Sequence, residues 1–290
     1  MIFDEPGLLE DPYPFYQKWR EERPIWWAED INAWVLSRHE DVRTVLGNAE
    51  LFSSQSMGEM EHQAMALPLL TDDPPRHTQL RKIVSKAFTS RTLKKMEDEI
   101  EVLVEQLLDQ VDESAPVDIA AEFTIPLPVS LIARLMGIPE EKKEDFKRWS
   151  DALVSTGEAT EIKDRMPDIM EMAGYFQSLI AQRREQPADD LVSQVVNAEV
   201  DGESMNDTDI VGFCILLLIA GNETTSNLLS NLLVYLANDA ATWDELRNDP
   251  GKTVAAVEEA LRFDAPVQCC LLYTSPSPRD ATLSRMPSSA

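Results

Sequence analysis

The longest helix predicted by the sequence is a mostly apolar segment from Asp207 to Asn238. Its length constrains the size of the domain that can contain it. Its 32 residues contain no proline and two glycines, Gly212 and Gly221. As an α-helix it would be about 48 Å long, at 1.5 Å per residue. Its most apolar part, from Ile210 to Gly221, is shorter than the roughly 20 residues that cross a membrane. The segment therefore predicts a core helix that runs through a large domain.

The rest of the sequence predicts a mainly α-helical protein with a small β-sheet region near its start. Two runs rich in tryptophan, Ile25–Asp30 and Ala33–Ser37, are separated by a short turn and predict a β-hairpin. No period is visible from Leu51 to Pro75, which predicts a long surface loop. Apolar residues at helical spacing predict helices over residues 11–22, 39–48, 75–88, 89–111, 128–136, 139–154, 163–184, 190–198, 207–238, 240–248 and 250–263.

The charge of the chain excludes two classes of partner. There are 26 Lys and Arg residues against 52 Asp and Glu residues, so the net charge is −26. Such a surface repels the phosphates of nucleic acids and offers no polybasic patch to an anionic membrane. The acidic, proline-containing start lacks the basic and apolar regions of a signal peptide, and we expect no membrane anchor. Three cysteines do not make a disulfide framework, which favours the cytoplasm.

The core segment is interrupted by residues that a helix interior seldom accepts. The string "AGNETT" places Gly221, Asn222, Glu223, Thr224 and Thr225 in succession after an apolar run. A buried glutamate has to be paired, solvated or protonated. In one interpretation another helix crosses closely at this glycine and the glutamate faces solvent. In the other, a carboxylate beside a hydroxyl relays protons from solvent to a buried reaction centre.

Two further pairs of polar residues stand at helical spacing. His77 and Arg81 are four residues apart, hence on one helix face, and two donors placed in this way could bind a carboxylate of a ligand. Glu259 and Arg262 are three residues apart and could form an ion pair. Taken alone, each pair is more typical of an ordinary solvated helix surface.

Together these strings resemble the cytochrome P-450 family, the haem-thiolate monooxygenases. "AGNETT" is similar to the oxygen-activation motif of that family. The resemblance implies that Glu223 and Thr224 deliver protons during dioxygen activation. It also implies that Ala220, Gly221 and Thr224 lie against the haem.

The other strings agree with the same family and follow in its order. "DDPPRHTQLRKIVSKAFT" resembles the helix whose histidine and arginine bind a haem propionate, a role that would belong to His77 and Arg81. "VEEALRFDAPV" resembles the family's Glu-x-x-Arg pair, a structural lock near the haem, formed here by Glu259 and Arg262. The opening "DPYPFYQKWREERPIWW" is also similar. The resemblance covers residues 1–268 and implies the N-terminal two-thirds of the cytochrome P-450 fold.

The resemblance also implies a reaction and its partners. A haem b cofactor would activate dioxygen, and one oxygen atom would be inserted into a small organic substrate. Two electrons would come from a ferredoxin and its ferredoxin reductase, as in the soluble bacterial type. Substrate contacts are expected from Leu217, Ala220 and Val267, and from the Leu51–Pro75 loop.

The sequence departs from the family at the iron ligand. The family's loop, of the type Phe-x-x-Gly-x-x-x-Cys-x-Gly, has no counterpart here. Cys214 lies inside an apolar run, and Cys269 and Cys270 lack the surrounding glycines, so no cysteine is assigned as the haem ligand. The histidines at positions 39, 62 and 77 show no metal-ligand spacing.

The composition changes abruptly at the end of the sequence. Residues 269–290 hold five serines, three prolines and one acidic residue, which predicts a disordered and non-native tail. We expect the polypeptide as written not to bind haem stably, and to aggregate or stay partly molten. The alternative is a helical binding or scaffold protein that keeps the fold without catalysis. A metal-free enzyme with Glu223 as its base would lack a second catalytic group nearby.

Overall fold

A computed structural model describes residues 5–8, 10–55, 67–88, 90–112, 114–154 and 162–274 of the chain. The chain divides into two compact units. Unit 1 comprises residues 1–57 and 272–290, and unit 2 comprises residues 58–271. Helices dominate the described residues and the strands are short, so the predicted mainly α-helical class with a small β region is confirmed.

Unit 1 is built around tryptophan. Its elements are α1 (Tyr13–Glu22), β1 (Ile25–Ala28), β2 (Ala33–Leu36), α2 (His39–Leu46), β3 (Phe52–Ser53) and β4 (Tyr273–Thr274). Strands β1 and β2 form an antiparallel hairpin in which Trp27 is paired with Trp34, so the predicted hairpin is confirmed. Trp19 of α1 is buried against Leu8, and Trp26 packs beside them. Trp26 can pack beside Trp19 because successive side chains of a strand point to opposite faces of the hairpin.

Part of the segment after residue 268 has regular structure. Strand β4 pairs antiparallel with β3, in the register Phe52 with Thr274 and Ser53 with Tyr273. The prediction of a disordered tail is therefore wrong for these two residues, because a partner strand far away in the sequence supplies backbone hydrogen bonds that no local pattern indicates. Residues 275–290 lie outside the described residues, and the non-native origin of the tail stays a prediction.

Unit 2 is a helical assembly that matches the predicted helices closely. Its helices are α3 (Arg76–Ala87), α4 (Ser90–Leu108), α5 (Pro126–Leu135), α6 (Lys143–Val154), α7 (Ile162–Glu185), α8 (Leu191–Val196), α9 (Asp207–Asn238), α10 (Ala240–Asn248) and α11 (Thr253–Phe263). A single turn of π-helix at Ala120–Thr124 precedes α5. The predicted Leu51–Pro75 loop is wrong at Phe52–Ser53, which form β3 because β4 supplies a partner strand. Residues 56–66 of that segment lie outside the described part of the chain, and residues 67–75 form turns and bends.

Side-chain caps fix where α9 and α10 begin. The side chain of Asn206 accepts a hydrogen bond from the backbone N–H of Asp209 at the start of α9. Asp239 does the same for the first turn of α10. Such caps satisfy backbone N–H groups that have no partner inside the helix. They explain why α9 begins at Asp207 and α10 at Ala240.

The core of unit 2 surrounds the first half of α9. Ile210, Ile215 and Leu218 are fully buried, and α9 packs most extensively against α5. Among the described residues, α9 is the one helix with the length and composition to cross a membrane, and 44% of its most apolar window is buried in the protein. That burial agrees with the predicted core helix. The other large, fully buried side chains are Trp149, Phe146, Phe176, Ile83, Met136, Met172, Ile180, Leu191 and Val195.

A buried ion pair joins α7, α8 and the turn after α5. Arg183 Nε donates to Asp190 Oδ2 at 2.6 Å, and the other carboxylate oxygen accepts from the backbone N–H of Ser193 at 2.7 Å. Arg183 also donates to the carbonyl oxygen of Gly137. Gly137 has φ of +71°, and a Cβ there would overlap the carboxyl group of Asp190, so this position requires glycine.

The last part of unit 2 leaves large apolar side chains exposed. Val234, Val254, Phe263 and Val267 are each at least half exposed. Exposed apolar side chains favour association. These exposed side chains agree with the expected aggregation. The behaviour of the polypeptide in solution stays a prediction.

Candidate functional site

The acidic and hydroxyl residues of the "AGNETT" string lie on the more exposed side of α9. Helix α9 continues without interruption through the string. Ala220 and Glu223 are exposed, and Thr224 is half-buried. Thr224 Oγ1 donates a hydrogen bond to the carbonyl oxygen of Ala220 at 2.6 Å. The Glu223 carboxylate is therefore solvated, and a hydroxyl with a movable proton lies next to it in the sequence.

Gly221 has a packing role that the resemblance did not predict. A Cβ at this position would approach Ile132 Cδ1 of α5 to 2.8 Å, closer than real Cβ atoms come to other side chains. Glycine thus lets α9 and α5 meet closely, and the side on which Gly221 would carry a side chain faces α5. The expectation that Gly221 lies against the haem stays a prediction. The close helix crossing and the solvent-facing Glu223 of the alternative interpretation are both present.

Buried polar residues occupy the other side of the same helix. Asn222 Nδ2 donates to Ser150 Oγ of α6 at 2.7 Å, and Ser226 Oγ donates to Asn222 Oδ1 at 3.3 Å. One turn further, Ser230 and Thr124 share a hydrogen bond of 2.7 Å. Sequence reasoning missed these residues as a group. The spacing of four between Asn222, Ser226 and Ser230 in an apolar helix was the available signal.

The predicted anion-binding pair lies on α3. His77 and Arg81 line one open depression of about 640 Å³, so the structure brings these two residues together. Its remaining lining residues are Thr78, Lys82, Ser85, Lys86 and Val200. Several cationic side chains in one depression suit a ligand that carries carboxylates. The two lysines belong to a site that the sequence analysis had limited to His77 and Arg81.

An ion pair holds α3 against the start of α9. Arg76 Nη2 donates to Asp209 Oδ1 at 2.6 Å, and Arg76 Nε donates to Asp72 Oδ1 at 2.8 Å. Asp209 and Thr224 are 15 residues apart, which is about 22 Å along a helix. The two predicted motifs thus belong to helices that share a core, and each motif forms its own local cluster.

The Glu259–Arg262 pair forms as predicted. Arg262 Nε and Nη2 donate to the two carboxylate oxygens of Glu259, at 2.8 and 2.7 Å. The hydrogen bond from Arg262 lowers the pKa of Glu259. Both side chains are largely exposed. The pair is formed, and its predicted role as a structural lock stays a prediction.

The three residues predicted to contact a substrate lie in different surroundings. Leu217 is partly buried and packs against the core of unit 2. Val267 is 58% exposed. Ala220, the third predicted contact, shares the exposed side of α9 with Glu223. Their contact with a substrate stays a prediction.

Cys214 does not offer a thiolate for iron. Cys214 is 1% exposed inside the core, and burial raises the pKa of its thiol to about 12, with a further contribution from the charge of Asp190. Cys269 and Cys270 are exposed. In the described parts of the chain, no three His, Cys, Asp or Glu residues are placed to hold a metal ion. The cationic depression therefore fits the carboxylates of a haem, whereas Cys214 does not fit its iron.

We expect Cys214 to resist thiol reagents in the folded protein. At about pH 8 a disulfide reagent should titrate two thiols rapidly, and the third only after denaturant is added, because the thiolate is the reactive form. The ordinary pKa of the thiol is 9.0 and the folded value is higher, so the folded state holds the proton longer. Stability should consequently fall as the pH rises above about 9. Rapid titration of three thiols would contradict the burial of Cys214.

Comparison with known proteins gives a consistent family. The sequence profile of the family Cytochrome P-450 matches residues 15–265. Cytochrome P-450 109 from Bacillus spizizenii is 36% identical over 264 residues, which are 89% of this chain and 64% of that protein. Erythromycin C-12 hydroxylase from Saccharopolyspora erythraea is 37% identical over 269 residues, 91% of this chain and 66% of that protein. The chain thus spans about two thirds of the length of these relatives.

Solved structures agree with the sequence relatives. Cytochrome P-450 CYP109Q5 from Chondromyces apiculatus superposes with a TM-score of 0.85 at 32% identity, over 93% of this chain and 69% of that one. CYP109E1 from Bacillus megaterium in complex with testosterone gives a TM-score of 0.80 at 33% identity, over 91% of this chain and 70% of that one. The predicted fold is confirmed. By profile, sequence and structure, the chain belongs to the cytochrome P-450 family.

Proposed function

We propose that the chain is the N-terminal part of a haem-dependent monooxygenase that inserts one oxygen atom of dioxygen into a small organic substrate. The observation that carries the proposal is the Glu223–Thr224 pair. An exposed carboxylate adjoins a half-buried hydroxyl that is hydrogen-bonded to the Ala220 carbonyl oxygen. This arrangement lies in the string that matches the family's oxygen-activation motif.

Haem is the cofactor of this family, and the residues of the chain suggest how it would be held. His77 and Arg81 would bind its propionates, because both line the cationic depression on α3. Ala220 and Thr224 would lie beside it, since they share the more exposed side of α9. When bound, the haem supplies the activation of dioxygen.

The contribution of the chain itself is the movement of protons. The Glu223 carboxylate is exposed and can exchange protons with solvent. Thr224 Oγ1 holds its proton toward the Ala220 carbonyl oxygen. For Thr224 to donate elsewhere, its hydroxyl must turn away from that carbonyl and be replenished from Glu223. A positioned acid of this kind contributes about 10²–10⁴-fold to a rate.

The relatives suggest the class of substrate. One is named an erythromycin C-12 hydroxylase, and another was solved in complex with testosterone. We propose a small organic substrate that contacts Leu217, Ala220 and Val267. We propose a ferredoxin and its reductase as electron donors, and a cytoplasmic location.

A second candidate function is a binding or scaffold protein of the same fold without catalysis. The position of the cysteines favours it for the polypeptide of these 290 residues, since Cys214 is a buried, protonated thiol and the other two lie on the surface. Haem iron in this family needs a thiolate ligand. On its own, this polypeptide should therefore not hold haem stably.

Two measurements test the proposal. Sequencing the source gene across the codon for Gln268 should reveal a frame that continues into a Phe-x-x-Gly-x-x-x-Cys-x-Gly loop. The product of that frame should give a thiolate-type Soret shift with carbon monoxide, and the 290-residue polypeptide should not. A sharp shift in the 290-residue polypeptide would contradict our assignment of its cysteines. A longer product that takes up no haem would favour the scaffold protein.

We expect the α3 depression to contribute to haem retention in the longer product. Replacing Arg81 with alanine should increase the rate of haem loss to apomyoglobin by at least about tenfold, because a charge-assisted hydrogen bond contributes about 1.5–3 kcal/mol. Lys94→Ala is the matched control, since Lys94 is a solvent-exposed lysine on the next helix, paired with Glu97. Equal rates of haem loss in the two variants would remove Arg81 from the site.

A further inference from the structure

A row of side chains at intervals of four runs along the buried side of α9. Its members are Cys214, Leu218, Asn222, Ser226 and Ser230. The first two are apolar core residues, whereas Asn222 and Ser226 are polar and only 5% exposed each. A polar side chain in a core costs free energy unless it is hydrogen-bonded. The burial of Asn222 and Ser226, one turn apart, is therefore expected only if both side chains are hydrogen-bonded.

Hydrogen bonds of the row reach the neighbouring elements. Asn222 donates to Ser150, which is itself fully buried on α6, and accepts from Ser226. Ser230 is bonded to Thr124, which ends the π-helical turn and is also fully buried. The amide of Asn222 thus uses its nitrogen toward another helix and its oxygen within α9. Both ends of the amide are satisfied.

These bonds differ in kind from the apolar contacts around them. Hydrophobic burial is non-directional and tolerates a helix that turns slightly about its axis. A hydrogen bond weakens steeply when its angle or distance departs from the optimum. The directional Asn222–Ser150 bond therefore restricts the rotation of α9 at the level of Glu223 and Thr224, in addition to the close packing of Gly221 against Ile132.

We propose that Asn222, acting through Ser150 and Ser226, is a positioning residue that fixes the rotation of α9 and so holds Glu223 and Thr224 toward the exposed side. The importance of that orientation for proton delivery rests on the proposed function. The orientation itself is a property of the chain without cofactor. It can therefore be tested independently of haem binding.

The test reads the rotation of α9 by thiol labelling of the full chain. In a background with Cys269→Ser and Cys270→Ser, a single reporter cysteine replaces either Glu223 or Thr225. Both positions are exposed, and they lie about 100° to either side of Thr224. The ratio of the two maleimide labelling rates changes when the helix rotates. General loosening of the fold raises both rates together.

Native Cys214 provides an internal control for unfolding. It lies in the same row and is buried, so it stays unlabelled as long as the core is closed. The variant Asn222→Leu removes the hydrogen bonds and keeps a side chain of similar size. Ser150→Ala removes only the acceptor on α6. Asn227→Leu, at an exposed position on the same helix, is the matched control.

We expect Asn222→Leu to change the ratio of labelling rates by about threefold to tenfold, the fold-change that corresponds to the net free energy of the one hydrogen bond that joins α9 to α6. Ser150→Ala should change it in the same direction, and the double variant should go no further than Asn222→Leu alone. Asn227→Leu should leave the ratio unchanged. In all of these variants Cys214 should remain protected.

An unchanged ratio in Asn222→Leu with Cys214 still protected would overturn the proposal. If Asn222→Leu opens the core and exposes Cys214, the Ser150→Ala variant becomes the test of the proposal. That variant deletes one oxygen atom and leaves Asn222 in place. An unchanged ratio in that variant would overturn the proposal as well. A longer product that never binds haem would refute the proposed function and leave this measurement unaffected.

Discussion

Replacing Asp190 with alanine will lower the free energy of unfolding of unit 2 by about 3–5 kcal/mol, the usual cost of removing one partner of a buried ion pair. The side chains of Arg183 and Asp190 are only 12% and 4% exposed. Without the carboxylate, the guanidinium of Arg183 is left with longer hydrogen bonds, to the Gly137 carbonyl oxygen at 3.4 Å and to Gln182 Oε1 at 3.3 Å. The first turn of α8 also loses the cap that Asp190 provides to Ser193.

The measurement is urea denaturation at low micromolar concentration, followed by tryptophan fluorescence. Trp149 is a suitable reporter, because it is fully buried in the core of unit 2. Glu199→Ala is the control, since it removes an exposed carboxylate shortly after α8 and should change the stability little. A loss below about 1 kcal/mol in Asp190→Ala would mean that water or another group replaces the carboxylate.

Replacing Thr224 with valine should reduce the fraction of consumed dioxygen that ends in product by about 100-fold, in the haem-loaded monooxygenase that we propose. Valine keeps the branched shape of threonine and removes the hydroxyl that donates to the Ala220 carbonyl oxygen. Dioxygen consumption should continue, because the haem site keeps its other contacts. Product and oxygen are measured together, so that a loss of coupling is separated from a loss of binding.

Thr225→Val is the matched control for this prediction. Thr225 is the next residue of α9, has the same side chain and is exposed. Its replacement should leave the coupling of oxygen consumption to product unchanged. Equal coupling in the two variants would assign proton delivery to another group, and the role of Glu223 would then need a different explanation.

Most of the helices could be predicted because their causes are local. Helix α9 begins and ends at the residues predicted, Asp207 and Asn238, since Asn206 caps its start and the apolar pattern fills its length. The same holds for His77 and Arg81, whose spacing of four places them in one depression. Local periodicity and capping chemistry were sufficient for these features.

The features that escaped prediction depend on partners far away in the sequence. Asn222 bonds to Ser150, 72 residues earlier, and no local pattern identifies that pair. A close helix crossing at Gly221 was one of two interpretations of the sequence, but its partner, Ile132 of α5, could not be identified from the sequence. Strand β4 forms only because β3 lies beside it. Each of these depends on tertiary contacts, which a single sequence does not reveal.

The cationic depression on α3 has a consequence for the speed at which ligands arrive. An anionic ligand far from the protein experiences the repulsion of a net charge of −26. Near the surface it meets Arg81, Lys82 and Lys86 instead. Dissolved salt screens the distant repulsion more than the contact attraction, because the Debye length is about 8 Å at physiological ionic strength. Added salt should thus accelerate the encounter with a carboxylate-bearing ligand, the opposite of ordinary electrostatic steering between unlike charges.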